Sequence, residues 1–290
     1  MKFEHIDSNI IVSDLTCFDL GLTLDCGQAF RWQQKGASCW HGVAHGRALD
    51  ICQEEGLLIF KNTSPEDFEN VWKVYFDLER DYEALCRAFV LQDAGLRAAV
   101  EAYPGIRLLR QEPWEALCSF IISQNNNIPR IKGIIERLCQ NFGDHLGGHD
   151  YAFPSAQSLA GLTVQDLAPL RAGFRAKYII DAAQKVAGGQ VLLENLKNTE
   201  SSLARTELQK IKGVGPKVAD CALLYGLGHT AIVPEDVWVK RILAEDYPEG
   251  FPQVEEDARG IAQQYLFHWK RMGRTESAKL KMAKGKGQIT

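Results

Sequence analysis

Lys217 stands in "LQKIKGVGPKVADC", residues 208 to 221, one position past Pro216, where an amphipathic pattern begins. A lysine amine is nucleophilic only when neutral, a state held by about one molecule in a thousand near pH 7.4 at the ordinary pKa. Partial burial beside positive dipoles lowers that pKa and makes the amine reactive. Further on, in "AIVPEDVWVKRIL", Asp236 follows Pro234 and precedes an apolar run, the pattern of a helix N-cap. An amine and a carboxylate, each at a helix start, suit a nucleophile with an acid/base or electrostatic partner. Taken singly, each also has a plainer reading, as a solvated charge after a turn and as a helix cap.

Positioning the pair requires two helices that meet at a tight hairpin. The apolar positions Leu203, Leu208 and Ile211 end at "GVG", and Val218, Cys221, Ala222 and Tyr225 begin a new face. Gly213 and Gly215 are expected at positive φ with bare backbone N–H groups, and Pro216 fits the first turn of the second helix. Such N–H groups bind phosphate with little side-chain help. A plain turn between two helices is the other reading. From Phe30 to Asn62, short runs such as "CWHGV", "ALDIC" and "LLIF" alternate with turn signals, which argues an antiparallel meander. After about Pro65, apolar residues fall at helical spacing, as do Ile131, Ile134, Ile135 and Leu138. "GDHLGGHDYAFPS" reads as a loop. The chain therefore divides into a sheet domain over 1–105, a helical domain over 106–275 and a basic tail over 276–290.

At 290 residues, 46% hydrophobic and 24% charged, the chain buries a sizeable core. It opens on no charged-then-apolar leader, and no apolar run approaches the roughly 18 residues that cross a bilayer. These features argue against secretion and membrane spanning, and an intracellular protein is expected, in cytoplasm and nucleoid if bacterial or in a nucleus if eukaryotic. The eight cysteines lie scattered, with no CxxC pair, and read as reduced thiols with neither zinc nor an iron–sulfur cluster. A net charge of −4 gives no global pull on a polyanion, so local features must supply it. The hairpin is one. The tail is another, with Lys270, Arg271, Arg274, Lys279, Lys281, Lys284 and Lys286 against Glu276, although a solvated terminus accounts for its last dozen residues.

With these residues in view, "LQKIKGVGPKVADCALLYGLGHTAIVPEDVWVKR" resembles the helix-hairpin-helix DNA glycosylase superfamily, and "CGQAFRW" with "SFIISQNNNIPRIKGIIERLCQNFG" resembles its 8-oxoguanine branch. The resemblance runs from about Asp19 to Trp269. It implies an α+β fold, in which an antiparallel β-sheet domain of TATA-binding-protein-like topology packs on an all-helical helix-hairpin-helix domain. It implies a monomer that acts on double-stranded DNA containing oxidised guanine, removes 8-oxoguanine opposite cytosine, and nicks the abasic site by β-elimination. Lys217 would form the Schiff base at C1′, and Asp236 would stabilise the sugar cation and move protons.

By the same resemblance, Asn125 fills the space of the flipped base, Arg130 and Arg175 read the orphaned cytosine, and Phe174 wedges beside it. The Gly27 carbonyl accepts from N7–H of the lesion, where guanine offers a lone pair. Gln263 meets the Watson–Crick edge, while Phe267 and Cys221 cover the two base faces. Gly213 and Gly215 grip phosphate, and the carbonyls of Gln209, Ile211 and Val214 hold an alkali or alkaline-earth ion, with no cofactor required. The chain departs from the family pattern at Lys212, where proline is usual, at Glu235, and at Trp238, where animal members carry a phosphate-binding histidine. Those departures touch hairpin rigidity, the surroundings of Asp236 and one phosphate contact. A glycosylase for alkylated bases would tend to lack Lys217, and a non-enzymatic DNA-binding module would have no need of Asp236.

Overall fold

The computed structural model describes residues 1–286, with side chains through residue 273. Its N-terminal part holds the expected meander and two strands besides. β1 (Lys2–Ile6) and β2 (Asn9–Ser13) form a hairpin in which Asp7 takes φ 54°. α1 (Leu20–Asp25) follows, then β3 (Trp32–Gln34), β4 (Cys39–Ala44), β5 (Arg47–Glu54) and β6 (Leu57–Lys61). All pairs are antiparallel, in the spatial order β1-β2-β6-β5-β4-β3. Alternation drives this: in β2, Ile10 and Val12 are buried and their neighbours are not. The buried face of Ile10, Val12, Trp32, Ile51, Leu58 and Phe60 is covered by a helical stretch made of α2 (Pro65–Asp67), a π turn and α3 (Lys73–Tyr75). Within that core the indole N–H of Trp32 donates to the Tyr75 hydroxyl at 2.8 Å.

The sheet corrects the reading of all eight cysteines as thiols, because Cys39 and Cys52 form a disulfide. They are register partners across β4 and β5, with Cα atoms 4.1 Å apart. Hairpin register, rather than any short cysteine motif, brings the two sulfurs together. The other six cysteines are free.

The helical part comprises α4 (Tyr82–Gln92), α5 (Ala94–Ala102), α6 (Pro113–Ser123), α7 (Ile128–Phe142), α8 (Ala156–Ala160), α9 (Ala176–Ala187), α10 (Leu193–Leu196), α11 (Ser201–Leu208), α12 (Pro216–Gly226), α13 (Val237–Glu245) and α14 (Arg259–Lys286). A small hairpin of β7 (His145–Gly147) and β8 (Asp150–Tyr151) interrupts the segment expected as loop. Side-chain caps start many of the helices: Asp81, Asp93, Asn127, Ser155, Glu200 and Asp236 each accept from a first-turn N–H. α7 buries the predicted face of Ile131, Ile134, Ile135 and Leu138. Leu203 does not join the predicted face, since it is 60% exposed. α4 and α5 share the helical core through Tyr82, Phe89 and Leu96, as do Cys26 and Phe30, while Leu109 packs in the sheet core. α14 runs through residues 276–286, where a separate tail was expected, and 287–290 lie outside the described residues.

Candidate active site

The hairpin between α11 and α12 is braced from α9. Gly213 has φ 80°, and a Cβ there would lie 2.4 Å from ring carbons of Tyr178, so both backbone and neighbour require glycine. Gly215 corrects the expectation of two positive-φ glycines: its φ is −89° with extended ψ, and a Cβ there would meet nothing within 4 Å. It is the N-cap of α12, and its open side faces a cavity. The Lys212 N–H donates to the Asp181 carboxylate at 2.6 Å, and the Lys185 ammonium joins the same oxygen at 2.8 Å. Burial pushes the Asp181 carboxyl up, but these two partners outweigh it and hold it below the usual carboxylate range. Proline at 212 has no N–H to give, so the departure brings its own brace.

Lys217 is half-buried in the first turn of α12, its ammonium 5.3 Å from the centre of the Phe120 ring. Asp236 Oδ1 accepts from the N–H groups of Trp238 and Val239 at 2.9 and 2.8 Å, which fixes the carboxylate at the start of α13. The two residues line one cavity of about 850 Å³, together with Gly27, Phe30, Phe120, Asn125, Gly215, Phe267 and Arg271. Cys221, one turn beyond Lys217, is buried and not among the lining residues. Burial raises its thiol pKa, and the neighbouring Lys217 ammonium lowers it. Trp238 and Glu235 also line the cavity, on the side of α13.

Gly27 lines the same cavity with φ 92°, and a Cβ built on it would lie 3.6 and 3.7 Å from Phe267 and Ile128. Its turn is locked by Gln28, whose amide donates to the carbonyls of Thr23 and Arg107 and accepts from Leu109 N–H. Gln264 links the walls: it accepts from the Tyr225 hydroxyl on α12 at 2.6 Å and donates to the Cys26 carbonyl at 3.3 Å. The helix of Lys217, the helix of Phe267 and the turn of Gly27 are thereby one hydrogen-bonded unit. Gln263 is 3% exposed, and its Oε1 has no hydrogen-bond partner among the described residues. It too lies outside the cavity lining.

Asn125, at φ 47°, lies between α6 and α7 and lines the cavity. Asn127 caps α7, and the Asn126 amide donates to the Ile122 carbonyl at 3.1 Å. Arg175 is held against the loop between α6 and α7. It is 2% exposed, donates to the carbonyls of Gln124 and Asn125, and its guanidinium lies 4.4 Å from the centre of the half-exposed Phe174 ring. Arg130 is exposed, with a 3.4 Å contact to the Arg171 carbonyl. Gln264, Gln28, Asp181 and Arg271 are the contributors that sequence reasoning missed. Gln28 lies within "CGQAFRW" and Arg271 within the basic run after Trp269, but the bonds that matter reach residues far away in the chain, which no local pattern records.

At the hairpin, the turn's backbone bonds use the carbonyls of Glu207, Leu208 and Ile211, while Lys185 holds that of Lys210 at 2.6 Å. The neutral carbonyl oxygens of Gln209, Ile211 and Val214 are hard donors, a set suited to an alkali or alkaline-earth ion and not to a soft metal. Among the described residues, the one group of three convergent His, Cys or acidic side chains is Cys39, Cys52 and Glu54, in which both sulfurs belong to the disulfide. No helix among those residues is long and apolar enough to cross a membrane.

Residues 10–117 match the family described as 8-oxoguanine DNA glycosylase, N-terminal domain, and residues 118–259 match the HhH-GPD superfamily base excision DNA repair protein. The structure of MBOgg1 in complex with a low-affinity DNA ligand is 41% identical, covers 94% of this chain and 100% of that one, and superposes with a TM-score of 0.88. The 8-oxoguanine glycosylase/lyase of Clostridium acetobutylicum, in complex with double-stranded DNA containing cytosine opposite 8-oxoG, is 34% identical over 94% and 99% of the two chains, with a TM-score of 0.87. The Arabidopsis thaliana N-glycosylase/DNA lyase OGG1 is 32% identical over 77% of this chain and 64% of its own length. The matched region is thus less than two thirds of that curated relative, and 42% of a Saccharomyces cerevisiae one.

Proposed function

The chain belongs to the 8-oxoguanine DNA glycosylase family of the HhH-GPD superfamily, and from that premise we propose that it excises 8-oxoguanine opposite cytosine from duplex DNA and then cleaves the abasic strand. The carrying observation is the placement of Lys217 and Asp236 at two helix starts on one cavity that Gly27 and Phe267 also line. Base flipping costs a few kcal/mol, which phosphate contacts at the hairpin offset. Asn125 takes the vacated space. Arg130 meets the orphaned cytosine, with Phe174 beside it, and Arg175 fixes the loop that carries Asn125.

The flipped base enters between Phe267 and the Cys221 side, with the Gly27 carbonyl accepting from N7–H. The buried, unpartnered Gln263 Oε1 supports a base edge nearby, since such atoms are rare without a ligand to serve. Lys217, in its neutral form, adds to C1′ as the C1′–N9 bond breaks with its electron pair on the base. A proton from the new ammonium, passed by Asp236, neutralises the departing base. Sugar ring opening gives the imine, and loss of a C2′ proton expels the 3′ phosphate. Asp236, held by two backbone N–H groups, faces the sugar where positive charge develops. The carbonyls of Gln209, Ile211 and Val214 are the residues that would hold a hard cation, which would add positive potential beneath a phosphate. The same reading makes this a monomeric protein that works where the genome is.

Borohydride reduction tests the reading. Wild-type protein is expected to be trapped covalently on 8-oxoguanine duplex, and Lys217→Gln to lose trapping and nicking while keeping DNA affinity. Trapping of Lys217→Gln at the wild-type rate would assign the nucleophile to another amine.

A further inference from the structure

Arg271 stands one helical turn past Phe267 on α14 and lines the same cavity. Its guanidinium donates to the Asp25 carbonyl at 3.0 Å and lies 5.7 Å from the centre of the Phe267 ring. A Cβ built on Gly27 would come 3.1 Å from its Nη1 and 3.6 Å from Phe267 Cε1. A planar fork with five N–H donors is therefore fixed beside the Gly27 backbone and one side of the Phe267 ring. His268, the residue after Phe267, is buried, and its pKa is lowered to about 4 by burial and then by this same guanidinium.

The chemistry at that place follows from the base, and rests on the reading of the site as an 8-oxoguanine pocket. If the Gly27 carbonyl accepts from N7–H, a guanidinium held beside the Gly27 backbone, with Nη1 3.1 Å from where a Cβ on that glycine would stand, is on hand for an oxygen flanking N7, either O6 or O8. Guanine also has O6, but carries only C–H at C8. We propose that Arg271 is a specificity-determining residue that donates to O8 of the flipped lesion. Breaking C1′–N9 leaves the bond's electron pair on the base, spread over N9, C8 and O8, until the proton released by Lys217 neutralises it. A fixed guanidinium at O8 interacts more strongly with that anion than with the neutral base, so it lowers the barrier to excision. Once the base is gone, the contact no longer exists. Strand cleavage at a preformed abasic site does not use it.

The test is single-turnover kinetics of wild type, Arg271→Met and Arg271→Lys on matched duplexes that carry 8-oxoguanine or a preformed abasic site opposite cytosine. Removal of a charged donor is expected to slow 8-oxoguanine excision about 10- to 100-fold in Arg271→Met. The ratio of excision to abasic-site nicking is expected to fall by at least tenfold, and Arg271→Lys is expected to recover part of it. Equal losses on both substrates would reduce Arg271 to a brace for the 25–27 turn and overturn the proposal. So would excision by Arg271→Met within about threefold of wild type. Failure of the wild-type protein itself to excise 8-oxoguanine would overturn the underlying pocket reading instead.

Discussion

Gly213→Ala puts a methyl group where the Tyr178 ring lies, on a backbone held at φ 80°. The left-handed conformation costs an L-residue roughly 1 kcal/mol. A Cβ 2.4 Å from ring carbons must also gain about 1 Å of separation to reach ordinary contact, and overpacking of that kind costs about 1 to 3 kcal/mol. The expected loss is therefore about 2 to 4 kcal/mol in urea unfolding. Tyr178→Ala removes the ring, so the double variant is expected to recover the steric part and leave the backbone part, a coupling of about 1 to 3 kcal/mol. Because displacement of Gly213 moves the start of α12, affinity for an abasic-analogue duplex at low salt is expected to fall at least tenfold in the single variant. A Gly213→Ala protein within about 0.5 kcal/mol of wild type, or strict additivity with Tyr178→Ala, would refute the steric account of this turn.

Asp236→Asn keeps a capping oxygen and is expected to slow base loss about 10²- to 10⁴-fold at unchanged stability, whereas Asp236→Ala is expected to lose a further 0.5 to 2 kcal/mol or so with its cap. Thermal melts with single-turnover excision separate the two effects. Glu115 is buried, which raises its carboxyl pKa to about 7 from an ordinary 4.5. The folded state binds the extra proton within that window, so this group's contribution to stability falls as pH rises from about 4.5 to 7, by up to about 3 kcal/mol. Denaturant midpoints of Glu115→Gln are expected to depend less on pH across that range than those of wild type. Asp181→Ala removes the acceptor for Lys212 N–H and Lys185, and is expected to cost about 1 to 3 kcal/mol and to weaken duplex binding, as read by fluorescence anisotropy.

Lys217 and Asp236 were legible because each is announced locally, by a glycine and proline before an apolar helix or by a capping residue after proline. The meander and the helical half were legible for the same kind of reason, since periodicities of 2 and 3.6 are properties of short windows. What stayed hidden depends on long-range register. Cys39 and Cys52 face each other only once β4 and β5 pair, and no motif records that. The bonds of Arg175 to the Gln124 and Asn125 carbonyls reach some fifty positions back, and no motif records them. Gly215 looked like a second left-handed glycine because composition does not distinguish steric need inside the protein from open space beside a cavity. The β1–β2 hairpin was missed although Ile10 and Val12 alternate, since five-residue strands give periodicity little to count.

The bonds that Gln264 makes to Cys26 and Arg271 to Asp25 join residues about 240 positions apart in the chain. During synthesis at roughly 5 to 20 residues per second, the turn that bears Gly27 waits about 12 to 50 s for its partner helix to be made. The hairpin with Lys217 and the cap at Asp236 are complete before α14 exists. On the proposed reading, the hairpin that would hold the phosphate backbone is therefore made before the helix that would help to enclose a base.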